Sequence, residues 1–367
     1  MNPGQLWNET PLIHSPHLSK ISGCSVYLKL ENLQPGHSFK SRGIGVFIRK
    51  AVEEHGPQVH LIVASSGNAG YAAACAASHL RVKCTVYIPE GVPQRAIDLL
   101  KDQEAQVIVV GRIYLDASAA AKRAVDSDTN AVLVPSYDDP SIWEGHASMI
   151  SEISTKLDKP DAIFVSVGGG GMLGGVITGC GKVGWDDVPI IALETIGCNC
   201  FHHSFLLNTG ASSDFATKLP PSTTKVHDEG ENVDMVHFHE FSSKASGSLG
   251  ASQPSAHVLK MALERQGDVR CVSVQDELSM RAAIRFAEDH KIMVELACST
   301  TLVPAYYPEL LNRLVPYRAN RTVVFIACGG FKVSLDDFYD YERHLEKNSG
   351  RERSVVIGDG EALGLRY

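Results

Sequence analysis

The sequence predicts an α/β protein built on open, mostly parallel sheets flanked by helices and divided into two domains. Short apolar stretches such as Leu61 to Ala64, Ala162 to Val167 and Val323 to Ala327 run without polar alternation, as strands covered on both faces do. Stretches of helical length separate them, which is the rhythm of parallel sheets. The 367 residues are long for one domain and comfortable for two; 44% hydrophobic and 21% charged residues allow a sizeable core.

Taken in order, Ser25 to Leu30 reads as a strand and Gly43 to Glu54 as a helix. Leu61 to Ala64 is a strand followed by an alanine-rich helix to about His79. Strands then fall at Cys84 to Ile88, Val107 to Val110 and Val132 to Pro135, with helices at Pro93 to Asp102 and Leu115 to Asp126 between them. A helix at Ile142 to Leu157, a strand at Ala162 to Val167, a helix at Leu173 to Gly179 and a strand at Ile190 to Glu194 follow, and Val323 to Ala327 closes the series. The polar segment 215–253, with His227, His237 and His239, breaks the rhythm and reads as a surface insertion. Beyond Leu335 a charged helix, Asp336 to Lys347, leads into a Gly- and Arg-containing tail expected to be poorly ordered. The domains expected are residues 1–42 with 141–340, and residues 43–140, leaving 341–367 as the tail.

A net charge of −8 gives no sign of nucleic-acid binding or of an anionic membrane surface. No stretch approaches the ~20 apolar residues of a membrane helix. Met1 to Thr10 has neither a signal core nor a transit pattern. The nine cysteines are irregularly spaced and several lie in apolar runs, as reduced, buried cysteines do in a cytoplasmic protein.

In parallel sheets ligands gather at the carboxyl ends of strands, so the turns there carry the chemistry. Val165-Ser166-Val167 runs into Gly168, Gly169, Gly170 and Gly171, then Met172 and a helix. Four glycines cost much backbone entropy. A loop of N–H groups converging on a phosphate at a helix start justifies that cost, as would a turn needed only for packing. Lys40, in Ser38-Phe39-Lys40, is either an ordinary surface lysine or an amine that captures an aldehyde and then moves a proton. Ser65-Ser66-Gly67-Asn68-Ala69-Gly70 follows a strand and opens a helix, which suits a carboxylate or simply a capped start. Cys328, at the end of the last strand, is either buried filling or a sulfur presented to a ring nitrogen.

Together, Ser38-Phe39-Lys40, the run Ser65 to Gly70, the loop Gly168 to Gly171 and Cys328-Gly329-Gly330 resemble the fold-type II pyridoxal-phosphate enzymes, the tryptophan-synthase-β-like group. Within it the chain is most similar to eukaryotic L-serine dehydratase/L-threonine deaminase, over about residues 8 to 335. Trp143-Glu144-Gly145-His146-Ala147-Ser148 and Val188 to Thr195 match as well.

The resemblance implies that Lys40 forms the Schiff base and takes the substrate α-proton. It implies that Phe39 packs on the cofactor ring, and that Gly168 to Gly171 and Met172 hold the phosphate. Asn68 would bond the ring hydroxyl, Cys328 would face the pyridine nitrogen, and Ser65, Ser66, Gly67, Asn68 and Ala69 would clasp the substrate carboxylate. A monovalent cation such as potassium is implied near Glu194 and Cys198, and a homodimer by family analogy. The activity implied is α,β-elimination from L-serine or L-threonine, giving pyruvate or 2-oxobutyrate and ammonia. The alternatives are serine racemase, threonine synthase or cysteine synthase, and a non-catalytic binding module. Ser66 is either a hydrogen-bond donor to the carboxylate or the proton donor of a racemase side activity.

Overall fold

The computed structural model describes residues 5–366; residues 1–4 and 367, the outer ends of the expected large domain and tail, lie outside it. The strands are β1 (Leu12–His14), β2 (Ser25–Leu30), β3 (His60–Ala64), β4 (Lys83–Ile88), β5 (Gln106–Val109), β6 (Ala131–Leu133), β7 (Ala162–Ser166), β8 (Ile190–Thr195), β9 (Thr223–Asp228), β10 (Val233–Phe238), β11 (Val269–Val274), β12 (Thr322–Ala327), β13 (Arg353–Ile357) and β14 (Glu361–Leu365). One sheet has eight strands in the order β1-β2-β12-β7-β8-β11-β13-β14. Its inner strands β2, β12, β7, β8 and β11 are parallel, with antiparallel strands at both edges. The second sheet, β5-β4-β3-β6, is wholly parallel.

The unalternating apolar strands do what their pattern requires. Every residue of β3, β7 and β8 is buried. Phe164 on β7 stacks on Phe325 of β12 at 4.2 Å, a cross-strand pair that the register Phe325↔Phe164 dictates. The same register brings the carboxyl ends of β7 and β12 side by side, so the glycine loop and Cys328 emerge next to each other.

Two expectations need correction. The segment 215–253 is more than a surface insertion. It forms the antiparallel pair β9–β10 and buries Val233, Met235, Val236 and Phe238. Its histidines bond to different partners: His227 to Asp234, His237 to Gln253 and His239 to Thr224. The tail is also ordered. After the helix Leu335–Lys347, β13 pairs antiparallel with β11, and β14 folds back on β13. Gly358 (φ +54°) and Gly360 (φ +121°) flank Asp359 and make the tight reversal.

The helix Lys40–His55 starts three residues earlier than expected, at Lys40 itself. What fixes its first turn is Arg42, fully buried. The guanidinium donates to both oxygens of Glu31 (2.7 and 2.8 Å) and both of Glu152 (2.7 and 2.6 Å), and to Ser148 Oγ at 2.9 Å. Lys29, also buried, reaches Thr10 O at 2.8 Å and pairs with Glu152. Burial alone would raise the Glu31 carboxyl; the Arg42 charge outweighs it and holds the group below the usual carboxylate range. Arg42→Met leaves Glu31 buried without its cation. It should cost about 3–5 kcal/mol of stability, read as a lowered denaturant midpoint, and a loss under about 1 kcal/mol would show the network to be dispensable.

Candidate active site

Lys40 enters the site because the preceding loop is strapped to the end of β12. Phe39 N–H donates to Cys328 O (3.1 Å), Gly330 N–H donates to His37 O (2.8 Å), and Ser38 bridges to Gly329. The Lys40 ammonium lies 5.1 Å from the Phe39 ring centroid and donates to Ser136 O. No carboxylate among the described residues pairs with it. Removal from water pulls its pKa from 10.5 down to about 8, outweighing an opposing pull from Cys328.

Beyond Ser166, the chain passes through Val167 into Gly168–Gly170, and the helix Gly171–Val183 begins. Gly170 has φ +98°, and no side chain caps this helix. A Cβ on Gly169 would fall 2.4 Å from the Tyr137 ring; on Gly171, 2.9 Å from Tyr137 O; on Gly168, 2.9 Å from Leu249 O. The loop is therefore pressed by Tyr137 on one side and by the returning end of segment 215–253 on the other. Ser255 N–H donates to Gly169 O (2.9 Å), and Tyr137 OH donates to Gln253 O (3.1 Å). Among the described residues none accepts from the N–H groups of Gly168, Gly169, Gly170 or Gly171, which leaves a cluster of free donors at a helix start.

A second free helix start faces the strap. The helix Asn68–Leu80 follows β3 through Ser65, Ser66 and Gly67, again with no side-chain cap. Gly67 N–H donates to Ser65 Oγ (3.2 Å). The chain doubles back so tightly that a Cβ on Gly70 would lie 2.0 Å from Ser65 O. Asn68 is heavily engaged: its Oδ1 accepts from Phe331 N–H (3.1 Å), and its Nδ2 donates to Glu295 (3.0 Å). Any ring-hydroxyl contact falls to its second amide N–H, which points toward Ser248 Oγ at 3.4 Å.

Cys328 Sγ lies 3.4 Å from Ser166 Oγ, at the adjoining strand ends. Lys40, Phe39, Cys328 and Asn68 thus gather around residues 328–331, and Ser136-Tyr137 joins Lys40 to the glycine loop. Glu194 and Cys198 lie apart from this cluster. The Glu194 carboxylate accepts from Phe201 N–H (3.1 Å) and His202 N–H (2.6 Å) at the start of the helix Cys200–Thr209. Burial raises its pKa well above the usual range. Cys198 Sγ sits 3.0 Å from Thr195 Oγ1. Sequence reasoning missed Ser166, Tyr137, Ser248 and Glu295. Ser166 and Glu295 left a trace, each a lone polar residue inside an apolar run.

Residues 5–329 match the family of pyridoxal-phosphate dependent enzymes. The chain belongs to that family. It is 37% identical over 332 residues to the L-serine dehydratase/L-threonine deaminase of Homo sapiens, covering 89% of this chain and 92% of that one. A fungal L-serine ammonia-lyase from Rhizomucor miehei superposes with a TM-score of 0.79 at 31% identity, over 92% of this chain and 98% of that chain. Maize serine racemase shares the fold, with a TM-score of 0.75 at 21% identity. Pyridoxal phosphate is the cofactor of this family, and the residues present fit it: free amides for a phosphate, and a half-buried amine without a counter-ion for an aldehyde. No helix among the described residues is long and apolar enough to cross a membrane.

Gly171→Ala should weaken pyridoxal-phosphate binding by about tenfold or more, since the new methyl meets Tyr137 backbone and displaces the amide cluster. Absorbance titration of the apoprotein reads this, and unchanged affinity would take the phosphate out of this loop. Because the neutral amine is the nucleophile, capture of pyridoxal phosphate by apoprotein should speed up as pH rises, with a midpoint near the Lys40 value of about 8. A midpoint at the ordinary 10.5 would mean that the amine is solvated.

Proposed function

We propose that this protein is a pyridoxal-phosphate-dependent ammonia-lyase acting on L-serine and L-threonine, giving pyruvate or 2-oxobutyrate and ammonia. The observation that carries the reading is the uncompensated Lys40 amine set between two free helix starts, in a chain 37% identical over 332 residues to an L-serine dehydratase/L-threonine deaminase.

The cofactor, when bound, supplies an electron sink that lets the substrate Cα lose its proton. Lys40 would hold the aldehyde group and would take that proton; a pKa of about 8 makes a far larger fraction of the amine neutral near physiological pH than the ordinary 10.5 would. Gly168 to Gly171 and Met172 hold the phosphate by backbone N–H groups, and Phe39 covers one face of the ring. Ser65, Ser66, Gly67, Asn68 and Ala69 orient the carboxylate at the start of the helix Asn68–Leu80, where the helix dipole favours an anion. Asn68 offers its remaining amide N–H to the ring hydroxyl. Cys328 faces the ring nitrogen with a thiol where a carboxylate would hold a proton, which favours elimination over transamination. The β-hydroxyl would depart as water on gaining a proton equivalent to the one Lys40 takes from Cα, and a second water would hydrolyse the free enamine product to the oxo acid and ammonia.

Four further features belong to the same reading. The four-stranded sheet is the core of a small domain, 43–140, and the eight-stranded sheet that of the large one. A monovalent cation binds near Glu194 and Cys198. The protein works as a homodimer, and its unpaired cysteines suit a cytoplasmic address.

The test is 2-oxo acid release from L-serine, L-threonine and D-serine. The parent should release oxo acid from the L-substrates, Lys40→Ala should release none, and replacing potassium by tetramethylammonium should slow the parent. A cofactor-loaded parent without oxo acid release would reject the lyase reading.

A further inference from the structure

Residues 329–332 form a strap in which four consecutive amides are held. Gly329 N–H donates to Cys298 Sγ (3.3 Å), Gly330 N–H to His37 O (2.8 Å), Phe331 N–H to Asn68 Oδ1 (3.1 Å) and Lys332 N–H to Glu295 Oε1 (3.1 Å). The Phe331 ring also stacks on Tyr71, one turn into the helix Asn68–Leu80, at 4.5 Å and 13°. The backbone of Lys332 is therefore fixed relative to residues 65–69.

Its side chain crosses that loop. A Cβ placed on Gly67 would meet Lys332 Nζ at 3.8 Å and Ser65 Oγ at 3.7 Å. No carboxylate among the described residues lies in ion-pair reach of the Lys332 ammonium; Glu295 bonds its backbone instead.

We propose that Lys332 is a specificity-determining residue: its ammonium pairs with the substrate carboxylate seated on residues 65–69, so that the site demands an anion where backbone amides alone would also accept a neutral amide. The proposal rests on the reading of 65–69 as the carboxylate loop. It assigns a charged partner to a group that the loop otherwise holds with neutral donors. Charge-assisted hydrogen bonds are roughly twice as strong as neutral ones, so the added discrimination is substantial.

The probes are glycine and glycinamide, which lack a β-leaving group, and the readout is the absorbance change of the cofactor-loaded protein on binding. The parent should bind glycine more tightly than glycinamide. Lys332→Met should lose glycine affinity by about tenfold or more while glycinamide affinity stays nearly constant, and Lys332→Arg should keep most of the preference. A Lys332→Met protein that binds glycine as tightly as the parent overturns the assignment of Lys332 alone. A parent that binds glycine no more tightly than glycinamide overturns the carboxylate loop and, with it, this proposal.

Discussion

Two cations begin the same helix two residues apart, and their opposite treatment organises the molecule. Arg42 is surrounded by two carboxylates, a serine and a threonine hydroxyl, so its charge is spent locally. Lys40 has a carbonyl oxygen and a neighbouring thiol and nothing anionic. An amine so placed loses water without gaining a counter-ion, and its pKa falls. Were Glu31 or Glu152 to reach Lys40 instead, the amine would be held as ammonium and would neither attack an aldehyde nor accept a proton. The buried Arg42 network therefore fixes the start of the helix and holds both of its carboxylates to itself.

The two uncapped helix starts follow from a related economy of polar groups. A helix start leaves its first amides without partners, and here both the Gly171–Val183 and Asn68–Leu80 helices start without a side-chain cap. Leaving them uncapped destabilises the empty protein slightly and leaves the amides for a ligand. The glycines at 168–171 serve mainly to admit neighbours: Leu249, Tyr137 and Val258 close in where their Cβ atoms would stand. The segment 215–253 matters in this way. It leaves the pattern at β9 and returns over the loop at Leu249, with Ser255 just beyond it bonded to Gly169 O, so it is a wall of the site.

Much of this was legible in the residues. Unalternating apolar runs located both sheets, since burial on two faces demands them, and the strand-end glycines located an uncapped helix start with free amides. The chain-order pattern failed where burial is supplied from a distance. β11 and the helices between 256 and 314 went unassigned, and the tail hairpin was read as loose chain. Gly358-Asp359-Gly360 between apolar residues is a recognisable reversal signal, but the partner that makes β13 a strand, β11, lies some eighty residues earlier. Asn68 shows the same limit at the site. Its place in the motif is plain, whereas its engagement by Glu295 and Phe331 arises from chain more than 220 residues away.

Glu295 is where the two sheets meet chemically. It accepts from Asn68, which follows β3 of the four-stranded sheet, from Ser248 Oγ at 2.6 Å, and from Lys332 N–H in the strap beyond β12. Each donor comes from a different wall of the site, so one carboxylate sets the separation of the 65–69 loop, the lip of segment 215–253 and the Cys328 strap. Gly330, at φ +140°, lies so close that a Cβ there would meet Glu295 at 2.1 Å. The strap can approach only as glycine, and the approach is what places Lys332 across Gly67. Loosening that one carboxylate would let all three walls drift together, whereas changing any single donor would free only its own.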